Sequence, residues 1–439
     1  VYKRQRQHCR PSEAVGSPAD AGFTIAQMAT RTGVGEADDA RVTSSAHRTA
    51  MTHRGWPVPA RFWWLEAVVV FLLVRAVGII ALARIADLNG HSVGGRLSLW
   101  DGQWMLAIAE YGYGGVPTTL TDANGLHTGD TAYAFFPGYP LLVSLVAKLP
   151  LVTPFGAAIG VNLILGCVAA VGAARLGAVC AREMAPTSPV GPASPRATGL
   201  ILVVLFAATP MSIVLNMAYT EALFCALVVW ALVGVMEHRW LLAGSVTLLA
   251  GLSRPTSVVL IGVVMLAALL AHRDGPRAWA AIVLSPLGYL GYLGVVWAHT
   301  GSPTGWFRIQ NEGWGTHIDW GVAAFNFINQ TLVGSGEVAA TGTAWVMLAS
   351  VAMIAVACWS RLPWPVLVYG SFVVVSILLS TGLIISRPRL LLPAFVLLIP
   401  LAMGLARLRR GVAIAILVPV VLGSAWFGAH MLTVFPFAI

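Results

Sequence analysis

The stretch FWWLEAVVVFLLVRAVGIIALAR, residues 62–84, is the first of a series of long apolar runs that continue almost to the end of the chain. A helix needs about 20 predominantly apolar residues to cross the hydrocarbon core of a bilayer. The chain of 439 residues is 57% hydrophobic and only 10% charged, whereas an average soluble domain is roughly 25% charged. The sequence therefore predicts an all-α polytopic membrane protein with no sizeable soluble domain.

Eleven apolar runs have the length and composition of membrane spans. They lie near residues 62–84, 155–180, 197–216, 218–236, 240–253, 256–271, 278–298, 343–359, 364–385, 389–406 and 411–432. One further candidate, AFFPGYPLLVSLVAKL at residues 134–149, is shorter than a span and is broken at its start by two prolines.

The positions of the basic residues decide whether residues 134–149 cross, because cytoplasmic loops carry an excess of arginine and lysine. If this segment does not cross and the N-terminal side is cytoplasmic, the basic residues between spans fall inside. These are Arg175, Arg182, Arg196, His238, Arg239, Arg273, Arg277, Arg361, Arg407, Arg409 and Arg410. If it crossed, all of them would lie outside. We therefore expect eleven spans plus a non-crossing juxtamembrane or re-entrant segment, and we attribute the net charge of +9 to topology rather than to a nucleic-acid partner.

Composition also divides the chain. Residues 1–50 are polar, and the segment from Met51 resembles a natural start, so we expect residues 1–50 to be disordered or a spurious extension. Residues 51–439 then form one transmembrane domain with large extracytoplasmic loops at 85–153 and 299–342. Abundant alanine, glycine and arginine are typical of a GC-rich bacterial genome, which predicts location in the plasma membrane.

The same topology places the unusual polar stretches together on the extracytoplasmic side. They are WDGQW within 85–133, FFPGYP, the region of Tyr219 and Glu221, GLSRPTS at 251–257, WFRIQNEGWG at 306–315 and SRPRL at 386–390. Such a one-sided cluster of acidic, basic and aromatic residues is typical of an active-site face. A transporter more often places its polar groups near the midplane, in broken helices related by an internal repeat, and the sequence contains no such repeat.

The segment SLWDGQWMLAIAEYGYGG, residues 98–115, has helical periodicity. Trp100, Trp104, Ala107 and Tyr111 share one stripe of the helix. This pattern predicts an amphipathic helix at the membrane interface, with its aromatic side in the lipid headgroups and Asp101 at its beginning.

Two carboxylates of this segment are candidates for chemistry. Asp101 is either an N-cap of the helix or a general base held over a cavity at the membrane edge. Glu110, on the far side of the helix, either shares that role or lies on a solvated face.

Together these motifs resemble one family. WDGQWMLAIAEYGY followed by AFFPGYPLL resembles the first extracytoplasmic loop of PIG-V-type mannosyltransferases, and further matches occur in the same order. They are NMAYTEALF at 216–224, LSRPTS at 252–257, GSPTGWFRIQNEGW at 301–314 and SRPRLLLPAF at 386–395. The resemblance implies a GT-C glycosyltransferase fold and transfer of mannose from a polyprenyl-phosphate donor to an acceptor hydroxyl on the outer face, with inversion. It also implies that Asp101 is the catalytic base.

The leaving phosphate needs cations, and the guanidinium fork of arginine suits a phosphate. We predict that Arg254, Arg387 and Arg308 bind the donor phosphate; the alternative for each is a headgroup contact or a loop ion pair. A fourth outer-face arginine, Arg389, is left out of this predicted site.

The predicted substrate-binding residues are aromatic, acidic or amide side chains of the same motifs, because aromatic faces stack on sugar rings and amides bind hydroxyls. They are Trp100, Trp104, Glu110, Tyr113, Tyr139, Tyr219, Glu221, Gln310, Asn311 and Trp314. The alternatives are an interfacial aromatic belt for the region 306–315 and a structural partner of an arginine for Glu221.

No cofactor is expected, because one clear aspartate without a close second carboxylate is a poor octahedral site for a divalent cation. The expected partners are the lipid-linked donor, membrane lipids and an acceptor that is a glycolipid, a polysaccharide or a protein. PIG-V itself adds mannose to glycosylphosphatidylinositol precursors, but a bacterial chain need not share that acceptor. The remaining alternatives are a related enzyme using lipid-linked arabinose or glucose, and a transporter or flippase for a lipid-linked substrate.

Overall fold

The computed structural model describes residues 63–334 and 336–437, and the prediction for residues 1–50 lies outside this part of the chain. The described chain is all-α, as the sequence predicts; within it, the pairing of Ile318 with Ser380 is an isolated bridge rather than a strand. The helices are α1 (Trp63–Leu88), α2 (Val93–Leu97), α3 (Asp101–Tyr111), α4 (Gly138–Ala147), α5 (Pro154–Met184), α6 (Pro195–Ala207), α7 (Glu221–Met236), α8 (Trp240–Gly251), α9 (Ser257–Leu270), α10 (Pro276–Leu284), α11 (Leu287–Thr300), α12 (Gly305–Trp314), α13 (Val322–Val333), α14 (Val338–Trp359), α15 (Trp364–Leu378), α16 (Arg387–Leu390), α17 (Ile399–Ala406) and α18 (Arg410–Thr433).

Five helical segments of the described chain are long and apolar enough to cross a membrane: α1, α5, α10 with α11, α14 and α18. The segments Ile384–Leu390 and Leu392–Ala406 together make a sixth candidate, bent by 54° at its break. This apolar content makes the chain an integral membrane protein.

The other predicted spans correspond to shorter apolar helices. These are α6, α7, α8, α9 and α15, each of 12–16 residues. At 1.5 Å per residue such helices reach roughly 18–24 Å, less than the hydrocarbon thickness of about 30 Å. The count of eleven spans therefore stays a prediction.

The centre of the bundle is α7, which is apolar around its whole circumference and almost entirely buried. A helix of this kind must be surrounded by other helices. α5 packs against α1, α6 and α7, and α8 packs against α7 as well. Glu221, the first residue of α7, is therefore placed at one end of the bundle interior.

The ambiguous segment 134–149 forms α4, which has 10 residues and a length of about 15 Å. This length is half of a membrane span. Gly138 explains the close packing at its start, because a side chain there would meet the carbonyl oxygen of Leu252 at 2.8 Å. The amide of Gly138 instead donates to that carbonyl at 2.7 Å.

Ion pairs join groups that the sequence assigns to the same side. Glu66–Arg196, Arg175–Glu237 and His238–Asp274 link the predicted cytoplasmic ends. Arg254–Glu221, Arg389–Asp101 and Arg308–Asp130 link the predicted extracytoplasmic ends. The polar residues that sequence analysis places on the outer face therefore lie at one end of the bundle.

Candidate active site

A cavity of about 370 Å³ opens at this end of the bundle, and charged and polar side chains line part of its wall. Each of the polar stretches noted in the sequence contributes to its lining. The residues that carry the argument below are Asp101, Phe135, Arg254, Gln310, Trp314, Arg387 and Arg389. The charged groups among them are one carboxylate and three guanidinium groups. We call this space the polar cavity.

Asp101 is held at the edge of the polar cavity by the start of α3. The residue before it, Trp100, has φ 54° and ψ −117°, a conformation that a bulky residue rarely adopts. The N-cap position belongs to Trp100, so the interpretation of Asp101 as an N-cap is wrong. The Asp101 carboxylate instead forms an ion pair with Arg389, with 2.6 Å between Oδ2 and Nη1.

Backbone contacts fix this segment against the start of α7. The amide of Ala218 donates to the carbonyl of Leu97 at 3.0 Å. The hydroxyl of Tyr219 donates to the carbonyl of Leu99 at 3.2 Å. Gly102 permits the close approach, because a side chain there would lie 3.4 Å from the Tyr219 ring. The position of Asp101 thus depends on Tyr219, which is itself buried.

Arg389 is a site residue that the sequence prediction missed. It is buried, and its guanidinium lies 4.9 Å from the centre of the Tyr219 ring while it pairs with Asp101. Cation–π contact and the opposite charge together stabilise it there. Its Nε atom is buried without a hydrogen-bond partner among the described residues.

Arg254 and Glu221 form a second, deeper pair, with 2.7 Å between Nη1 and Oε1. Only 1% of the Glu221 side chain is exposed, and its Oε2 atom has no hydrogen-bond partner among the described residues. The structure therefore supports the alternative in which Glu221 is the structural partner of an arginine. Arg254 lines the polar cavity, whereas Glu221 lies behind it.

Arg387 also lines the polar cavity, but both of its Nη atoms bind backbone carbonyls of the protein. Its Nη1 donates to the carbonyl of Ile377 at 2.6 Å, and its Nη2 donates to the carbonyl of Ser380. These carbonyls lie at and just after the C-terminal end of α15, where a cation satisfies carbonyl groups that the helix leaves unpaired.

The region 306–315, predicted as a sugar-facing loop, is mostly the helix α12. Gln310 and Trp314, four residues apart, face the polar cavity, because this spacing puts them on one side of the helix. Gln310 also donates from Nε2 to the carbonyl of Ala134 at 3.0 Å. Asn311, on another face, is exposed and lies outside the cavity lining.

Trp104 is not in the lipid headgroups, and this part of the prediction for residues 98–115 is wrong. It is buried against Phe135, His127 and Trp314, with 5.2 Å between the ring centres of Trp104 and Phe135. Trp104 and Ala107 of the stripe are covered by residues 113–135 and by α12 rather than by lipid, whereas Tyr111 of the same stripe is exposed. Trp104 therefore supports the cavity wall from behind.

Other predicted residues lie away from the polar cavity. Arg308 is half exposed and pairs with Asp130 at 3.5 Å. Glu110 is exposed on the far face of α3, as the solvated-face alternative expects. Trp100 acts through its backbone, at the N-cap of α3. The side chains of Arg308, Glu110 and Trp100 are not part of the cavity lining.

Two tyrosines of the motifs hold the loop together. The hydroxyl of Tyr113 donates to the carbonyl of Phe135 at 2.8 Å, and that of Tyr139 donates to the carbonyl of Ala158 at 3.2 Å. Burial raises the pKa of Tyr113 well above its ordinary value, so its phenol remains a donor. Neither side chain is part of the cavity lining.

Several donors of the cavity lining lack a hydrogen-bond partner within residues 63–334 and 336–437. Besides Arg389 Nε, the hydroxyl oxygens of Thr256 and Ser386 are buried without a hydrogen-bond partner among the described residues. Leaving buried polar groups unpaired is unfavourable. A ligand rich in oxygen atoms would satisfy them. Across residues 63–334 and 336–437, no group of three His, Cys, Asp or Glu side chains converges as metal ligands do.

Comparison with known proteins finds no matching family model and no match among curated proteins. Among solved structures, the crystal structure of ArnT from Cupriavidus metallidurans bound to undecaprenyl phosphate is similar with a TM-score of 0.49 and 13% sequence identity. The match covers 85% of this chain and 76% of that chain. A likeness at this level assigns no activity, so the site chemistry rests on the geometry of this chain.

Proposed function

We propose that this chain is an integral-membrane glycosyltransferase of the GT-C type, which transfers mannose from a polyprenyl-phosphate donor to an acceptor hydroxyl with inversion. One observation carries the proposal: a carboxylate, Asp101, and three guanidinium groups line one cavity at the end of an apolar bundle. The choice of mannose as the donor sugar rests on the resemblance to PIG-V-type enzymes, and the proposed reaction mechanism rests on these side chains.

Asp101 acts as the general base. The acceptor oxygen attacks the anomeric carbon of the donor sugar, and its proton passes to the Asp101 carboxylate. The bond between the anomeric carbon and the phosphate oxygen breaks, and polyprenyl phosphate leaves with the electron pair. The Asp101 side chain is 33% exposed, so a hydroxyl arriving from the aqueous side can reach it.

The arginines stabilise the leaving phosphate. Arg254, Arg387 and Arg389 bring three positive charges to the cavity, against Asp101 at its edge and Glu221 behind it. These five groups sum to one net positive charge, which favours an anionic ligand. Arg308, which the sequence included, contacts Asp130 instead and is left out of this mechanism.

The donor's lipid needs an apolar place next to these charges. A second space of about 140 Å³ is lined by α14, α15 and residues 388–398, and we call it the apolar pocket. Pro388 lines it, while the neighbouring Arg387 and Arg389 line the polar cavity. A phosphate at the arginines would thus have its first isoprenoid units within reach of the apolar pocket.

The sugar ring would lie between Asp101 and the wall formed by Gln310 and Trp314, where an aromatic face and an amide suit a hydroxylated ring. The acceptor is a glycolipid, a polysaccharide or a protein of the cell envelope, and the reaction takes place on the extracytoplasmic face. The proposed chemistry uses no metal, and a loss of activity on chelation that Mg²⁺ or Mn²⁺ restores would contradict that.

Membranes containing the full chain, beside membranes without it, test this function when supplied with radiolabelled polyprenyl-phosphate mannose, arabinose and glucose in separate reactions. We expect label to move from the mannose donor into an acceptor. Transfer from the arabinose or glucose donor alone would mean that the chain is a glycosyltransferase with a donor sugar other than mannose. Movement of intact donor across sealed vesicles without any transfer would replace the enzyme by a transporter.

A further inference from the structure

Arg389 has two neighbours of very different kinds. One is the Tyr219 ring, which is part of the fixed packing between α3 and α7. The other is Asp101, the carboxylate that the proposed reaction needs as its base. Side-chain exposure is 9% for Arg389 and 33% for Asp101, so the cation is the fixed member of the pair and the carboxylate the accessible one.

Asp101 satisfies Arg389 only in part. The ion pair uses one oxygen, Oδ2, and one nitrogen, Nη1, although a guanidinium offers five N–H donors in a planar fork. The Nε of Arg389 is buried without a partner among the described residues. A phosphate, which presents several oxygens, would fill this donor capacity better than the present contact.

The other two arginines have partners that the reaction does not need. Arg254 is held by Glu221, which lies behind the cavity. Arg387 donates to the backbone carbonyls of Ile377 and Ser380. Arg389 is therefore the cavity arginine whose partner is itself a reacting group.

We propose that Arg389 exchanges partners during the catalytic cycle: it holds Asp101 while the site is empty and passes to the donor phosphate when the donor binds, which frees Asp101 to accept the proton. Both anions compete for one guanidinium, so donor binding comes before activation of the acceptor hydroxyl. This inference rests on the proposed function and gives Arg389 a role beyond phosphate binding, as the residue that withholds Asp101 until the donor is bound.

Release of Asp101 is physically feasible at this place in the fold. The carboxylate lies in the first turn of α3, where unpaired amide groups and the helix dipole favour a negative charge. Water reaches it, since a third of its surface is exposed. Arg389 would stay buried and exchange one anion for another.

Binding of polyprenyl phosphate, the sugar-free product, to the purified full chain tests the competition without any turnover. Asp101→Asn should tighten binding about tenfold or more. The charged hydrogen bond between Asp101 and Arg389 no longer has to be broken before Arg389 can bind the phosphate. Arg389→Gln should weaken binding by a similar factor. In the double variant the tightening should disappear, because Asp101 acts through Arg389.

Asp87→Asn is the matched control, since Asp87 is an exposed carboxylate at the outer end of α1, paired with Arg84. It removes the same charge and should leave binding within about twofold, as exposed charges are strongly screened. Asp101→Ser removes the same carboxylate and supplies the comparison if the asparagine variant does not fold. Unchanged binding in both Asp101 variants, or equal tightening in the Arg389→Gln background, would overturn the exchange.

The two proposals fail differently. If the wild-type chain transfers sugar but the Asp101 variants bind polyprenyl phosphate as the wild type does, the exchange is wrong and the glycosyltransferase stands. If the wild-type chain neither transfers sugar nor binds polyprenyl phosphate, the proposed function is wrong and the exchange is wrong with it.

Discussion

Asp101 and Glu221 illustrate how burial divides the work between two carboxylates at one site. Asp101 keeps a third of its surface exposed beside Arg389 and can meet a substrate. Glu221 is enclosed at the start of α7 with Arg254 as its ion-pair partner. A charge enclosed in this way depends on its partner, because removal of one member leaves the other buried and unpaired.

The Arg254–Glu221 pair gives a prediction on stability. Arg254→Gln should destabilise the fold by about 3–5 kcal/mol, because it leaves the Glu221 carboxylate unpaired. Arg254→Leu combined with Glu221→Leu should recover most of this stability, since both charges are gone, but should not recover transfer. Thermal unfolding in detergent, together with the transfer assay, measures both. An Arg254→Gln variant as stable as the wild type would show that Glu221 does not depend on Arg254.

At the scale of elements, α16 separates the polar cavity from the apolar pocket, so a change in the pocket can be tested without touching the arginines. Ala349 of α14 lines the apolar pocket. We predict that Ala349→Trp raises the KM for a long-chain polyprenyl donor while leaving a donor with a very short chain unaffected. Each buried CH₂ contributes about 0.8 kcal/mol, so exclusion of two carbons corresponds to roughly tenfold in affinity.

Ile414→Trp is the control for this prediction, because Ile414 is exposed on α18 and is not part of the apolar pocket. It should leave the KM of both donors unchanged. An equal effect of Ala349→Trp on long and short donors would mean that the pocket does not hold the lipid.

Residues 315–321, which we call the strap, border the polar cavity through Thr316 and pair with the chain after α15. The amide of Thr381 donates to the carbonyl of His317 at 2.7 Å, and the amide of Asp319 donates to the carbonyl of Leu379 at 3.0 Å. The Asp319 carboxylate accepts from the amides of Ala323 at 2.7 Å and Gly321 at 2.9 Å. These bonds hold the pKa of Asp319 below its ordinary value.

This lowered pKa predicts the pH dependence of the strap. A carboxyl group with a lowered pKa in the folded state stabilises the fold above its unfolded pKa of about 3.9, and the contribution is lost as the pH falls through the folded value. The contribution of Asp319 to the stability of the strap should therefore not change with pH between about 5 and 8. Asp319→Asn should speed hydrogen exchange at the Gly321 and Ala323 amides at neutral pH.

The difference between Asp319→Asn and the wild type should shrink as the pH falls from the ordinary aspartate pKa of about 3.9 to the lower pH at which the folded wild-type carboxyl group becomes protonated. Hydrogen exchange corrected for the intrinsic effect of pH measures this. A difference that stays constant down to that pH would contradict the role of the Asp319 charge.

At the scale of the whole molecule, the parity of spans predicts which loops face which side. Thr118, in the loop between α3 and α4, and Arg273, between α9 and α10, are both exposed. Five predicted spans separate them if residues 134–149 do not cross, so a membrane-impermeant thiol reagent should label Thr118→Cys and Arg273→Cys from opposite sides in a cysteine-free background. Labelling of both from the same side would mean that residues 134–149 cross.

The sequence predicts much of the site because polar residues are rare in an apolar chain. Asp101, Arg254, Arg387, Gln310 and Trp314 were predicted from their motifs, and all line the polar cavity. A motif does not separate a residue that faces the cavity from one that holds the loop. Tyr113 and Tyr139, for example, donate to backbone carbonyls.

Arg389 shows what sequence spacing leaves undecided. Arg387 and Arg389 flank one proline, and both side chains reach the cavity. Which of them pairs with Asp101 depends on the packing of α16 against Tyr219, a contact between distant parts of the chain. The environment of Trp104 is undecided in the same way. The helical stripe predicts that its face of α3 is covered, but not whether lipid or protein covers it.

The central claim is that Asp101 is the base of a glycosyl transfer, and the most direct test is the rate of mannose transfer from polyprenyl-phosphate mannose by the wild type and by Asp101→Asn. Both full chains are compared at equal amounts of folded protein in membranes that supply the acceptor. We predict that transfer falls by at least about 100-fold in the variant, as expected for loss of a general base, while polyprenyl phosphate still binds. Transfer by Asp101→Asn at the wild-type rate would contradict the account.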